Sequence, residues 1–185
     1  MKPTAFYSYN QGKQNLTVGK GICYGYCKTL GKEVRDGITV DDACNKIYKA
    51  IASNNTRTMQ SSTSKQKTSD QSGESISIDK LDDIPVVLCC NISSGFGTCT
   101  HFSLPSYVCL NRWWADHACL IYKSGDQLMI FDPNTGLSRW TIPTTLTYAL
   151  LNEMLEYGYK RQKNARPVYS TSLQRVRRSP QPYNK

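Results

Sequence analysis

The sequence has few histidines, no long hydrophobic stretch and no internal repeat. Its 185 residues include 2 His. No apolar run approaches the ~18–20 residues of a transmembrane helix, and neither a heptad nor a longer period recurs along the chain. The first residues lack the apolar segment of a secretory signal peptide. These absences exclude membrane-spanning, coiled-coil and solenoid proteins, and we expect a soluble protein.

Acidic residues are missing from the end of the chain. Residues 160–185 contain eight of the 23 basic residues and no acidic one, so the remaining 15 basic and 14 acidic residues give residues 1–159 a net charge of only +1. Prolines at 167, 180 and 182 discourage regular structure, and we expect residues 161–185 to form a disordered basic tail. Such a tail fits an anionic membrane or an acidic partner. Nucleic acid is disfavoured, because the basic run at 175–178 has no interleaved aromatic residue.

The chain contains 8 Cys, but their spacing is not that of a zinc site. Three close groupings occur, Cys23 with Cys27, Cys89 with Cys90, and Cys99 with His101, and none forms the paired Cys-x-x-Cys or His-x-x-x-His knuckles of structural zinc. A disulfide framework is permitted by the even number, yet a chain of this length needs none to fold. We therefore expect free thiols, no metal and no organic cofactor.

The order of predicted elements indicates an α+β fold. We expect one helix over residues 21–34, a second with Thr39 or Asp41 as N-cap, and a third from about Thr144 with Gly158 as its C′ residue. Residues 53–75 hold 11 Ser/Thr and read as a flexible insertion. Strands are predicted at residues 84–92, 106–110, 117–122 and 128–131. Helices and strands that are segregated along the chain argue against a doubly wound parallel sheet.

The last two predicted strands form a hairpin whose register follows from its turn. If the turn is centred on Gly125 and Asp126, paired positions place Cys119 opposite Asp132. His117 and Asp132 are then diagonal neighbours on one face of the sheet, about 7–8 Å apart at Cα. A slip of one residue would place them on opposite faces.

Three residues together suggest nucleophilic catalysis. Cys23 lies at the start of a predicted helix, where the helix dipole favours a thiolate. His117 would take the thiol proton and later protonate the leaving group, and Asp132 would orient the imidazole. Taken alone, each residue has a structural explanation, as a buried thiol, a core histidine and a turn carboxylate. These structural explanations do not account for the position of His117 and Asp132 on the same face of the predicted sheet.

The local sequences GICYG at 21–25, DHA at 116–118 and FDPNTG at 131–136 resemble, in this order, the YopT-like cysteine peptidases of the papain-like superfamily. The resemblance implies a papain-like domain over residues 1–160, with a helical half, an antiparallel sheet half and a C-terminal helix. It implies that Cys23, His117 and Asp132 form the catalytic triad of a cysteine protease acting on a protein or peptide. It also implies a bacterial effector or toxin, secreted by a non-classical route or delivered into a target cell.

The oxyanion-stabilising side chain does not follow from the resemblance. Papain-like enzymes carry Gln or Asn a few residues before the nucleophile, whereas Thr17 and Val18 occupy those positions here. Asn15 is the candidate side chain, with Gln14 and Gln11 as alternatives, and the backbone N–H of Cys23 is a further donor. A peptidoglycan amidase, a deamidase or a transglutaminase would use the same triad. A non-catalytic module that docks through its basic tail is the hypothesis from a different class.

Overall fold

A computed structural model describes residues 1–9, 23–53, 75–81, 85–92, 117–142, 145–161 and 168–175. Three α-helices occur in this part of the chain: α1 (Cys23–Arg35), α2 (Val40–Ala52) and α3 (Tyr148–Arg161). A short 3₁₀ turn covers Ile78–Lys80. The strands are β1 (Ala5–Ser8), β2 (Ser75–Ile76), β3 (Val86–Ile92), β4 (His117–Ser124), β5 (Gln127–Asp132), β6 (Gly136–Thr141) and β7 (Val168–Arg175).

The described strands form one sheet in the order β1-β6-β5-β4-β3-β7-β2, and every neighbouring pair is antiparallel. The α+β class is therefore confirmed. The predicted hairpin is also confirmed, because Ser124 pairs with Gln127 and Leu120 with Phe131. Gly125 occupies the turn with φ of +59°, a left-handed conformation that glycine adopts without steric cost.

The sheet is covered on its two faces by different core clusters. Helices α1 and α2 contribute to the first cluster, which we call the helical layer and which includes Ala118 and Leu120 of β4. Helix α3 contributes to the second, which includes Cys119 and Ile121 of the same strand. Alternate residues of β4 thus belong to opposite layers, as the two-residue period of a strand requires.

Thr39 caps helix α2, as the sequence predicts. Its hydroxyl accepts a hydrogen bond from the backbone N–H of Asp42 at 3.2 Å and donates to the Asp42 carboxylate at 2.7 Å. Ala43 and Ile47 then lie buried on the face that packs in the helical layer. Ala43 and Ile47, four residues apart, therefore form the buried side of this helix.

Helix α3 differs from its prediction at both ends. It begins at Tyr148 rather than near Thr144, and Thr147 caps it by accepting a hydrogen bond from the Leu150 N–H at 3.2 Å. Gly158 is not a C′ residue but lies inside the helix, which continues to Arg161. The glycine has a packing reason, because a Cβ there would lie 2.5 Å from the Thr135 hydroxyl oxygen.

The expectation of a disordered tail from residue 161 onward is wrong for residues 168–175. These residues form β7, which pairs with β3 on one side and with β2 on the other. Leu173 of this strand is 1% exposed and belongs to the second core cluster. Backbone pairing and the buried Leu173 thus bring a largely polar segment into the sheet.

Most of the predicted flexible insertion, residues 54–74, lies outside the described residues, as does the predicted strand at 106–110. Within the described part of the chain, no helix is long and apolar enough to cross a membrane.

Candidate active site

The β4–β5 hairpin brings His117 and Asp132 into direct contact. The Nε2 atom of His117 lies 2.7 Å from Oδ1 of Asp132. Both side chains are 3% exposed, so water screens this pair very little. The shared face that the hairpin register predicts is therefore confirmed by a buried hydrogen bond.

The turn after β5 fixes the carboxylate of Asp132. The backbone N–H of Asn134 donates to Asp132 Oδ1 at 2.7 Å, and the N–H of Thr135 donates to the Asp132 carbonyl at 3.1 Å. The side-chain amide of Asn134 in turn donates to the Tyr159 hydroxyl of α3 at 3.0 Å. One hydrogen-bonded chain therefore connects α3 to the imidazole of His117.

Two glycines allow neighbouring elements to pack closely against this turn. Gly136 has φ of +122°, and a Cβ there would lie 1.9 Å from the carbonyl oxygen of Tyr7 in β1. Gly158 gives Thr135 room against α3 in the same way. The turn is thus held from the sheet side by β1 and from the helix side by α3.

The third member of the predicted triad, Cys23, lies on a different element. It is the first residue of α1, is 8% exposed and packs in the helical layer. One turn later the thiol of Cys27 donates to the carbonyl of Ala118, the residue after His117, at 3.3 Å. Four residues correspond to about 6 Å along a helix, so Cys23 lies within one turn of a contact that α1 makes beside His117.

Another thiol lies next to the hydrogen-bonded pair. The sulfur of Cys119, a nitrogen of His117 and a carboxylate oxygen of Asp132 all lie within 4.8 Å of one another. Cys119 is fully buried. The predicted register placed Cys119 opposite Asp132, so the sequence already contained the signal for this proximity. A mid-strand thiol without exposure is inaccessible to a peptide substrate.

One thiol and three tyrosine hydroxyls of the helical layer stay neutral near pH 7. Burial raises the pKa of the Cys44 thiol in α2 to about 12. Burial likewise raises the pKa of the Tyr9 hydroxyl to about 12 and moves the pKa values of Tyr26 and Tyr48 further upward. Cys44 is thus a structural thiol that stays protonated at neutral pH.

Sequence reasoning overlooked two residues that support the site. Asn134 is named in the sequence-based predictions only as part of the FDPNTG segment at 131–136, and Tyr159 is not among the predicted residues. The signal for Asn134 was its place two residues after Asp132, where an Asx turn returns a backbone N–H to the carboxylate. For Tyr159 no local signal exists, because its partner is 25 residues away. Asn15, the candidate for the oxyanion, lies outside the described residues.

The chain matches no protein-family model, no curated protein and no solved structure.

Proposed function

We propose that the protein is a papain-like cysteine protease, related to the YopT-like peptidases, that cleaves peptide bonds through a thioester on Cys23. The observation that carries the proposal is the buried 2.7 Å hydrogen bond between His117 Nε2 and Asp132 Oδ1. The residue after His117, Ala118, accepts a hydrogen bond from Cys27 on the helix that begins with Cys23. A buried imidazole held by a carboxylate is the arrangement that activates a nucleophile in acyl-transfer enzymes.

In the proposed reaction, Nδ1 of His117 takes the proton of the Cys23 thiol, and the sulfur attacks the carbonyl carbon of the substrate. The tetrahedral intermediate collapses when His117 returns the proton to the leaving amine, which leaves a thioester. Water, deprotonated by His117, then hydrolyses the thioester and regenerates the thiol. The carboxylate of Asp132 accepts a hydrogen bond from the protonated Nε2 of His117. This hydrogen bond orients the ring and leaves Nδ1 free of a proton, so that Nδ1 can act as the base.

The oxyanion would be stabilised at the start of α1. The first four N–H groups of a helix have no acceptor within the helix, and the N–H of Cys23 is one of them. Donors that point at the developing negative charge contribute about 2.7–4 kcal/mol each. Asn15 remains the proposed side-chain donor.

Geometry places one demand on this proposal. Cys23 packs in the helical layer with Ala118, whereas Cys119, and by alternation His117, belong to the opposite face of β4. His117 is the first described residue of β4. The proposal therefore requires that the Cys23 sulfur reach the His117 ring from the helical layer.

Thiol reactivity tests the proposal directly. We expect a limiting amount of iodoacetamide at pH 7 to alkylate Cys23 before Cys27 and Cys44, as mapped by mass spectrometry. His117→Ala should lower the Cys23 rate by about 10²-fold or more, in the range of general acid–base effects, and leave the other thiols unchanged. Cys27 is the matched control, since it lies on the same helix and is fully buried. A Cys23 rate that does not depend on His117 would sink the catalytic assignment.

The substrate is tested separately from the nucleophile. An unfolded protein substrate should be cut by the wild type and left intact by Cys23→Ala, with both proteins showing the same circular dichroism spectrum. Release of ammonia without cleavage would indicate a deamidase, and turnover of muropeptides would indicate a cell-wall amidase. Intact Cys23 reactivity with none of these activities would favour a binding module that docks through residues 160–185 on an acidic partner or an anionic membrane.

A further inference from the structure

The carboxylate of Asp132 has one oxygen that the proposed mechanism does not use. Oδ1 accepts hydrogen bonds from His117 and from the N–H of Asn134. Oδ2 is buried and, within the described part of the chain, has no hydrogen-bond partner. A buried anionic oxygen without a partner is costly, so this atom favours a cation.

Two other donor residues lie beside this carboxylate. Cys119 contributes a sulfur and His117 a nitrogen, and the three donor atoms of the cluster lie within 4.8 Å of one another. All three residues are at most 4% exposed. Sulfur, imidazole nitrogen and carboxylate oxygen together form the donor set typical of zinc rather than of Mg²⁺ or Ca²⁺, which prefer oxygen alone.

We propose that His117, Cys119 and Asp132 bind one Zn²⁺ ion and that the bound ion switches off the enzyme. The charges balance in this buried place, because a thiolate and a carboxylate neutralise the two charges of the ion while the imidazole stays neutral. Binding releases the thiol proton of Cys119 to solvent. Three protein ligands leave the fourth position of a tetrahedral ion to water.

Inhibition follows from the choice of ligand atoms, and only this part rests on the proposed function. If Nε2 of His117 and Oδ2 of Asp132 bind the ion, Nε2 no longer carries the proton that it donates to Oδ1 of Asp132 at 2.7 Å. The neutral ring then carries its proton on Nδ1, the atom that would take the proton of Cys23. The ion and the catalytic hydrogen bond therefore exclude one another.

The test uses the full-length protein, freed of metal by a chelator and titrated with Zn²⁺ or Co²⁺ alone. We expect one equivalent to bind, and cobalt to give a thiolate charge-transfer band. Cys119→Ser should abolish that band and weaken zinc binding by more than about 100-fold, since even outer partners of a metal site cost about 10–100-fold. Cys119→Ala serves as a second variant if the serine disturbs folding.

Two control variants make the outcome specific. Cys44→Ser removes a buried thiol of the helical layer and should keep both the band and the affinity. Cys23→Ser should also keep them, although it is inactive under the proposed function, so a failed protease assay and a failed metal site are told apart. Binding that depends on Cys23 rather than on Cys119, a cobalt band that survives Cys119→Ser, or the absence of stoichiometric binding would each overturn the proposal.

Asp132→Asn separates the two roles of this residue. An amide oxygen can still accept the hydrogen bond of His117, but it carries no charge for the ion. We expect this variant to lose zinc affinity by more than about 100-fold, as expected for loss of a ligand. Its remaining activity should then resist zinc concentrations that inhibit the wild type. Inhibition at the same zinc concentration in both proteins would contradict a site that includes Asp132.

Discussion

The helical layer and the β4–β5 hairpin bury their polar groups in opposite ways. In the helical layer, burial raises the pKa of Cys44 and of Tyr9 to about 12, and these groups stay neutral. On the hairpin, His117 and Asp132 are buried as deeply but bind one another through a 2.7 Å hydrogen bond. Neutralisation and pairing are the two general ways to tolerate a buried ionisable group.

The described thiols of the helical layer also differ in their exposure. Cys27 and Cys44 lie inside the helical layer, at 0% and 3% exposure. Cys23, the first residue of α1, is 8% exposed. The proposed nucleophile is therefore the most exposed of the described thiols in this layer.

The largest effect is expected when the pairing on the hairpin is removed. Asp132→Ala leaves the His117 ring without its acceptor, and we expect kcat to fall by about 10²–10⁴-fold in a peptide-cleavage assay. Asp132→Asn should retain at least about tenfold more activity, because papain-like enzymes use an amide in this role. Equal losses in the two variants would mean that charge, rather than orientation, is the contribution of Asp132.

The next effect concerns the turn that carries Asp132. Gly136→Ala forces a positive φ of +122° on alanine and places its Cβ 1.9 Å from the Tyr7 carbonyl oxygen, so the free energy of unfolding should fall by about 3 kcal/mol or more. Gly125→Ala is the matched control, since its φ is +59° and no atom lies within 4 Å of an added Cβ. There we expect about 1–2 kcal/mol. Urea unfolding of both variants measures the difference, and similar midpoints would show that β1 does not press on this turn.

A smaller effect is expected from the support that α3 gives to the hairpin. Tyr159→Phe removes the acceptor of the Asn134 amide at 3.0 Å, and loss of one such hydrogen bond costs about 1 kcal/mol. If Tyr159 positions Asp132 through Asn134, kcat should fall several-fold while KM stays unchanged, and the pH profile of kcat should shift. Loss of stability with an unchanged profile would assign Tyr159 a purely structural role.

The hairpin could be predicted from the sequence because its information is local. A polar turn with Gly125 fixes the register of β4 against β5, and the register fixes which side chains share a face. The contact between His117 and Asp132 follows from these two steps alone. The capping of α2 by Thr39 is local in the same sense.

Elements determined by distant partners could not be predicted. Strand β7 has a polar sequence and forms through backbone pairing with β3, so residues 168–175 resembled a solvated tail. Gly158 resembled the end of a helix because its true constraint, Thr135, lies 23 positions earlier. The position of Cys23 relative to His117 depends on how α1 packs on the sheet, which no local pattern encodes.

The smallest effect is expected at alkaline pH and comes from the helical layer. Cys44 has a pKa of about 12 in the folded protein and an ordinary value of 9.0, so unfolding releases its proton above pH 9. The stability that this neutral thiol contributes is complete below pH 9 and is lost as the pH rises toward 12, at up to about 1.4 kcal/mol per pH unit. Tyr9 adds to the loss only above its ordinary value of 10.0. Between pH 9 and 10, the free energy of unfolding of Cys44→Ala should therefore fall less steeply than that of the wild type, whatever the offset between the two curves. If the two plots of the free energy of unfolding against pH run parallel in urea titrations, Cys44 ionises as easily in the folded protein as in the unfolded one. The contrast between a neutral helical layer and a paired hairpin would then not hold at this thiol.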